Sequence, residues 1–190
     1  MSYLRAFAPW IVFAVVPASD WKWAALAALA ISVIGITRHT RSGLPLDAQI
    51  IDIGSAVYFA ALTALAFADP HTPLHAYTAS LASGALGLIA GVSLAVGKPF
   101  TLGIAKQSIP REHWNSPLFI RTNMIITAAW TASLIIGCVI LAVLAHSSAL
   151  ARGIVQVAAF VIPLVFTVRY AAHARAEGRA AAMAQTGSPA

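Results

Sequence analysis

Apolar residues along this chain gather into long continuous runs broken by short polar punctuation. The clear runs are Ile50 to Phe67, Ala76 to Val96, Ile120 to Ala145 and Gly153 to Tyr170. As helices rising roughly 1.5 Å per residue, each can cross roughly 30 Å of hydrocarbon. Two shorter runs precede them, Phe7 to Val16 and Trp23 to Thr37, separated by Pro17 through Lys22. Neither reaches the usual length of about 20 residues. They read either as two short spans in a thinned bilayer or as a re-entrant hairpin, and the later topology is the same in both cases. A third reading takes Arg5, the first apolar run and Val16-Pro17-Ala18 as a cleaved signal peptide; with no soluble domain following, retention is expected.

The expected fold is therefore all-α: a polytopic transmembrane helical bundle of about six membrane segments, four firm spans plus a short N-terminal hairpin. Residues 1–170 form one membrane domain, and residues 171–190 form a tail that starts helical and ends disordered from Gln185 onward. Composition agrees. Hydrophobic residues make up 59% and charged residues 9% of the chain, too few charges to cover a soluble globule of 190 residues. The mean hydropathy is +0.81.

The formal net charge of +6 would point to nucleic acid in a soluble protein, but here the cations sit at the ends of apolar runs. With six crossings and the N-terminus inside, ten of the 12 Lys and Arg residues fall on one side: Arg5, Arg38, Arg41, Lys98, Lys106, Arg111, Arg121, Arg169, Arg175 and Arg179. Lys22 and Arg152 fall on the other. This is the positive-inside pattern of a multi-pass membrane protein with both termini cytoplasmic. No nucleic-acid partner is expected. Trp10, Trp21 and Trp23 fall where indole rings anchor at membrane interfaces.

Candidate chemistry concentrates on a few positions. Asp47 suits the N-terminal cap of the helix that carries Asp52, and Asp52 lies roughly 7 Å deeper along the axis. As the deepest acid in the chain, Asp52 is either a proton or cation site, or a carboxylate paired with Arg121, Arg38 or Lys98. Ser55 and Thr63 share roughly its face, while Asn123, Thr127 and Thr131 recur every four residues on a later span, with Trp130 beside them. Two such stripes either line a hydrated path or bridge packed helices, the second reading being favoured. Ser83, Gly87 and Gly91 also repeat every four residues, with Ser80 and Gly84 in a neighbouring row. This is a close-packing signal, within the chain or across a dimer.

Asp69, His71, His75 and His146 share the less basic side and are weak metal candidates, so no metal is expected there. No histidine lies mid-span, which argues against a buried bis-histidine haem; no cofactor is expected. The lone Cys138 sits in an apolar run as packing. The loop from Lys98 to Arg121 mixes Lys98, Lys106 and Arg111 with Phe100, Leu102, Ile104, Ile109, Trp114 and Phe119. Over residues 98–119 it suits a segment lying in the headgroup plane, with Lys98, Phe100, Lys106, Arg111, Trp114 and Arg121 contacting lipid or a partner. Glu112 and His113 offer acid–base groups, but no paired acids, nucleophile elbow or metal spacing accompanies them. An enzyme acting on lipid ranks third among the functions, behind a non-catalytic membrane component and a small transporter built around Asp52, Asn123 and Thr127.

The words Lys98-Pro99-Phe100-Thr101, Pro110, Trp114, Ser116-Pro117-Leu118-Phe119, Asn123, Ile126-Thr127 and Trp130 resemble a pattern of bacterial multi-pass membrane proteins, distantly similar to the intracellular septation protein A family. The likeness covers about 33 residues, Lys98 to Trp130. It implies a bacterial inner-membrane protein with a role in cell-envelope and division processes, with envelope membrane proteins as partners, and it carries no catalytic residues; a second copy of the chain as partner rests on the small-residue spacing alone.

Overall fold

The structure, a computed structural model, describes residues 6–107 and 109–186, without the side chains of residues 18, 47 and 178–186. The Arg5 and signal-peptide reading, the Asp47 cap and the last residues of the tail fall outside the described residues. What is described is all-helical: α1 Ala8–Val15, α2 Trp21–Arg41, α3 Ile50–Ala68, α4 Thr78–Ala95, α5 Phe100–Lys106, α6 Pro117–Val143 and α7 Ala149–Thr186. Five of these, α2, α3, α4, α6 and α7, are long and apolar enough to cross a bilayer.

The two N-terminal helices differ in length from the two apolar runs that announced them. Helix α2 has 21 residues because Trp21 and Lys22 before the apolar run, and Arg38 to Arg41 after it, continue the helix. Arg38, His39 and Arg41 fall in its last turn, where cations offset the negative end of the helix dipole. Helix α1 has only eight residues, roughly 12 Å. Its backbone turns extended at Val16 and meets Pro17, which starts a short 3-10 turn rather than another helical turn.

Two helix ends were written in glycine. After α2 the N–H of Leu44 bonds the His39 carbonyl and that of Gly43 bonds Thr40, with Gly43 at φ 73°. After α4 the same closure uses Lys98 to Ser93 and Gly97 to Leu94, with Gly97 at φ 70°. This left-handed C-terminal closure favours glycine because a Cβ there meets the following carbonyl.

Helices α2 and α3 pack as an antiparallel hairpin, and α4, α6 and α7 form a second layer. Small residues set the α4–α6 distance. A Cβ on Gly87 would lie 2.8 Å from Ile135 Cδ1, and one on Gly91 would lie 3.3 Å from Thr131 Cγ2. Ser83 donates to the Leu134 carbonyl at 2.9 Å and Ser80 to that of Cys138 at 2.8 Å. The Ser83, Gly87 and Gly91 repeat therefore faces α6 of its own chain.

Between the layers α1 acts as an aromatic wedge. Phe7 stacks on Trp130 at 5.1 Å and meets Phe100 and Phe160 edge-on. Trp10 stacks on Tyr58 and lies tilted against Phe59. Trp10, expected at an interface, is thus buried in the core, and Trp21 is buried beside His75; Trp23 is exposed as an interfacial residue would be. The outward surfaces of the long helices carry Val57, Leu88, Val92, Ile136, Val139 and Ile162, all more than half exposed.

Candidate functional site

The ends of the bundle differ in chemistry. One, here the basic end, carries the α2–α3 turn, the Gly97–Trp114 segment and Arg121; the other carries the α3–α4 and α6–α7 turns. At the basic end Asp52 is buried and its Oδ2 accepts from His39 Nδ1 at 2.9 Å. The expected partners Arg38, Lys98 and Arg121 are all exposed and do not hold it. The reason is hairpin register: His39 and Asp52 each lie three residues from the 42–49 connection, so antiparallel packing sets them opposite each other. Gly35, one turn before His39 on the same face, leaves room for the carboxylate; a Cβ there would lie 3.7 Å from Asp52 Oδ1. Gln49, fully buried, closes the turn by donating from Nε2 to the Leu44 carbonyl at 2.8 Å.

One turn deeper, Ser55 accepts from Trp10 Nε1 at 2.7 Å and donates to the Ile51 carbonyl at 2.6 Å. Its one proton is thus committed to its own helix. Thr63, expected on this face, lies roughly 16 Å from Asp52 along α3; its hydroxyl and that of Tyr58 are buried without a hydrogen-bond partner.

The second stripe turns elsewhere. Thr101 on α5 donates to the Asn123 carbonyl at 3.0 Å and meets the Thr127 hydroxyl at 2.8 Å. Asn123 Nδ2 donates to the Phe119 carbonyl at 2.8 Å, and Ser93 accepts the Phe100 N–H at 3.1 Å. Trp130 Nε1 donates to Thr167 at 2.9 Å, and Thr167 donates to the Pro163 carbonyl at 2.7 Å. Pro163 inside α7 has no N–H for the carbonyl of Ala159, and Ser133 supplies a hydroxyl instead at 2.9 Å. Asn123, Thr127 and Trp130 thus bond to α5, α6 and α7, while Asp52 bonds to α2.

The 98–119 loop does not lie flat. Helix α5 turns into the bundle and buries Phe100, Thr101, Gly103 and Ile104, so Phe100 belongs to the core rather than to a lipid or partner contact. Polar Thr101 and Ser93 draw it inward by tying it to α6 and α4. The outer part keeps its cations: Lys106 Nζ and the Arg111 guanidinium lie 5.1 and 5.5 Å from the Trp114 ring centre, and Trp114 Nε1 donates to the Ile109 carbonyl. Lys98, Arg111 and Arg121 are exposed.

No protein family, curated protein or solved structure matches this chain. The functional reading therefore rests on residues and geometry. Among the described residues no three of His, Cys, Asp or Glu come together as a metal site. Asp69 caps α3 by its N–H to Leu65, His71 is exposed, His75 lies against Trp21, and His146 meets the Tyr77 hydroxyl at 3.4 Å. Sequence reading overlooked His39, Thr101, Ser133 and Thr167. Equal spacing from the α2–α3 turn was a usable signal for His39; the others are ordinary hydroxyl residues until their partners are seen.

The His39–Asp52 pair gives a direct prediction. His39→Ala leaves a buried carboxylate without its donor and is expected to destabilise by about 1–3 kcal/mol. Asp52→Asn keeps an acceptor and is expected to lose less. In a double-mutant cycle followed by denaturation of the purified protein, a coupling of about 1 kcal/mol is expected, and simple additivity would remove the pair from the account.

Proposed function

We propose that this chain is an integral, multi-pass protein of the bacterial inner membrane, with the basic end and both termini in the cytoplasm, and that its role is structural or partner-binding. The skew of ten cations against two supports the orientation, and the apolar exterior of the five long helices supports the bilayer. The observation that carries the non-catalytic reading is the fate of the polar stripe: the Asn123 carbonyl and Thr127 bond Thr101 of α5, Trp130 bonds Thr167 of α7, and the Asn123 side chain bonds back to Phe119 within α6. Groups held this way specify packing. The contact surface is then the exposed cationic rim of Lys98, Arg111 and Arg121 with the Trp114 ring, facing anionic lipid and a protein partner. The resemblance to the septation protein A family is the reason to seek that partner among envelope membrane proteins. A dimer would need a face other than the Ser83, Gly87 and Gly91 stripe, which α6 already covers.

A small transporter is the second reading, favoured by one observation: Tyr58 and Thr63 carry buried unpaired hydroxyls on the helix that carries Asp52. Site-specific cross-linking in cells combined with proteoliposome flux separates the two. Under the proposal, cross-links to a defined membrane partner fall several-fold in Lys98→Glu and Trp114→Ala and persist in Asp52→Asn, while liposomes carrying the protein leak no faster than empty ones. Cation or proton flux that vanishes in Asp52→Asn, with the protein still folded, would replace it with transport.

A further inference from the structure

We propose that the end of the bundle opposite the basic end holds one anionic membrane lipid, with its headgroup at Arg152, His75 and His146 and an acyl chain in the cleft alongside α1. The inference requires the bundle to sit in a bilayer, but not the partner role of the basic end.

The cleft follows from the shortness of α1. A helix of eight residues wedged among helices of 18 or more leaves its neighbours uncovered where it stops. Two joined spaces result. The first, about 580 Å³, is bordered by Trp21, His75, His146, Arg152 and Gln156; none of its lining residues is Asp or Glu. The second, about 410 Å³, shares Phe13, Ala14, Ala79, Gly153 and Gln156 with the first. It continues between α1, α4, α6 and α7 over the apolar side chains of Leu86, Leu134, Val157 and Phe160. Volumes of this size are ordinary for sites that hold a small amphiphile. From Ala79 to Leu86 the furrow follows α4 for roughly 10 Å, about two thirds of the depth of one leaflet.

The mouth is built for an anion. Arg152 is fixed at the α6–α7 turn, where its Nη1 donates to the Ala145 carbonyl at 2.6 Å. A planar guanidinium suits phosphate oxygens better than any other side chain does. His146 is steadied by Tyr77, edge-on at 5.7 Å, and His75 by Trp21 at 5.2 Å. A cationic mouth on an apolar furrow matches a lipid rather than a free anion, which would leave the furrow unused, or an uncharged lipid, which would leave the arginine unmatched. Small residues make the room: apart from the backbone of its own helix and its chain neighbours, nothing lies within 4 Å of where a Cβ on Gly153 would stand.

The test uses the whole chain in an uncharged detergent, exposed to equal amounts of dioleoyl phosphatidylglycerol and dioleoyl phosphatidylcholine, with bound lipid counted by native mass spectrometry. One phosphatidylglycerol is expected to be retained about tenfold over phosphatidylcholine, equivalent to about 1.4 kcal/mol. Arg152→Gln brings the ratio close to one, and Arg152→Lys restores part of it. Gly153→Leu, whose side chain grows into the open cleft, displaces both lipids with helical content unchanged by circular dichroism. Lys98→Gln with Arg121→Gln, at the other end, leaves the ratio intact. Equal retention of the two lipids by the unmodified protein overturns the proposal. So does a preference that survives Gly153→Leu or disappears with Lys98 and Arg121, and so does inorganic phosphate alone competing with the lipid. Should Arg152→Gln fail to fold through loss of the Ala145 bond, Arg152→Lys and Gly153→Leu decide the matter.

Discussion

Gly103→Ala is expected to destabilise the fold by about 3 kcal/mol, through a single methyl group. A Cβ at Gly103 would lie 2.8 Å from Ala48 Cα and 2.9 Å from its carbonyl carbon, and closer still to the carbonyl oxygen. These are backbone atoms of the short 3-10 turn Leu46–Gln49, which is itself held by Gln49 and followed directly by α3. A flexible side chain could swing away; this turn has to move as a body, or α5 has to withdraw. Overpacking a well-filled core typically costs about 1–3 kcal/mol, and rigid neighbours push a site to the upper part of that range. Withdrawal of α5 would in addition break the Thr101 bonds to Asn123 and Thr127 and uncover Phe100 and Ile104. The measurement is the fraction of protein that stays monodisperse in detergent, with its unfolding midpoint. Gly97→Ala serves as the comparison: its surroundings are open and only its left-handed backbone objects, so a loss of about 1 kcal/mol is expected. Equal behaviour of the two variants would mean that α5 does not seat on the 46–49 turn.

Gly103 also marks where sequence legibility ends. The four strong apolar runs became α3, α4, α6 and α7 with edges shifted by a few residues, except that α7 continues past Tyr170 to Thr186, because hydrophobic length is a property of the chain that needs no partner. The stops at Gly43 and Gly97 are equally local. Helix α2 was under-read for a simple reason: an apolar run ends at its first charges, whereas a helix continues through Arg38 to Arg41, whose cations suit its C-terminal dipole. The fate of α5 is not local at all. Its mixture of cations and aliphatic residues is what an in-plane amphipathic segment looks like, and only the meeting of Thr101 with Asn123 and Thr127, 22 and 26 residues away, turns it inward. The candidate site divides the same way. Asp52 stands out in the sequence as a deep acid, and a structural pairing is one of its two readings; the partner is a histidine set by hairpin register rather than an arginine chosen by charge. Asn123, Thr127 and Trp130 were noticed as a stripe, but their direction could not be read from periodicity, because a period names a face and not what lies across from it.

Trp130→Ala is expected to have the largest effect of any side-chain truncation in the bundle. The indole is fully buried, and three aromatic rings meet it: Phe7 stacked at 14° between ring planes, Phe100 and Phe160 edge-on. Those rings belong to the N-terminal segment, α5 and α7, so Trp130 on α6 is where the wedge, the inward-turned helix and the last span are joined. Removing it leaves a large cavity, and aromatic-to-alanine changes in cores cost about 3–5 kcal/mol. A second loss is polar. Thr167 would be left with its bond to the Pro163 carbonyl but without the indole donor, next to a proline that already interrupts the α7 ladder. Trp130→Phe is the milder change: it keeps one ring in the cluster but loses the N–H and part of the indole's volume, so a loss of about 1–3 kcal/mol is expected. Phe7→Ala should weaken the same cluster from the other side and be strongly non-additive with Trp130→Ala, since either change removes their shared stack. Denaturant or thermal unfolding of the four proteins, the double variant included, reads the coupling directly. Additive losses would mean that α1 is not wedged against α6, and the cleft beside α1 would lose its wall.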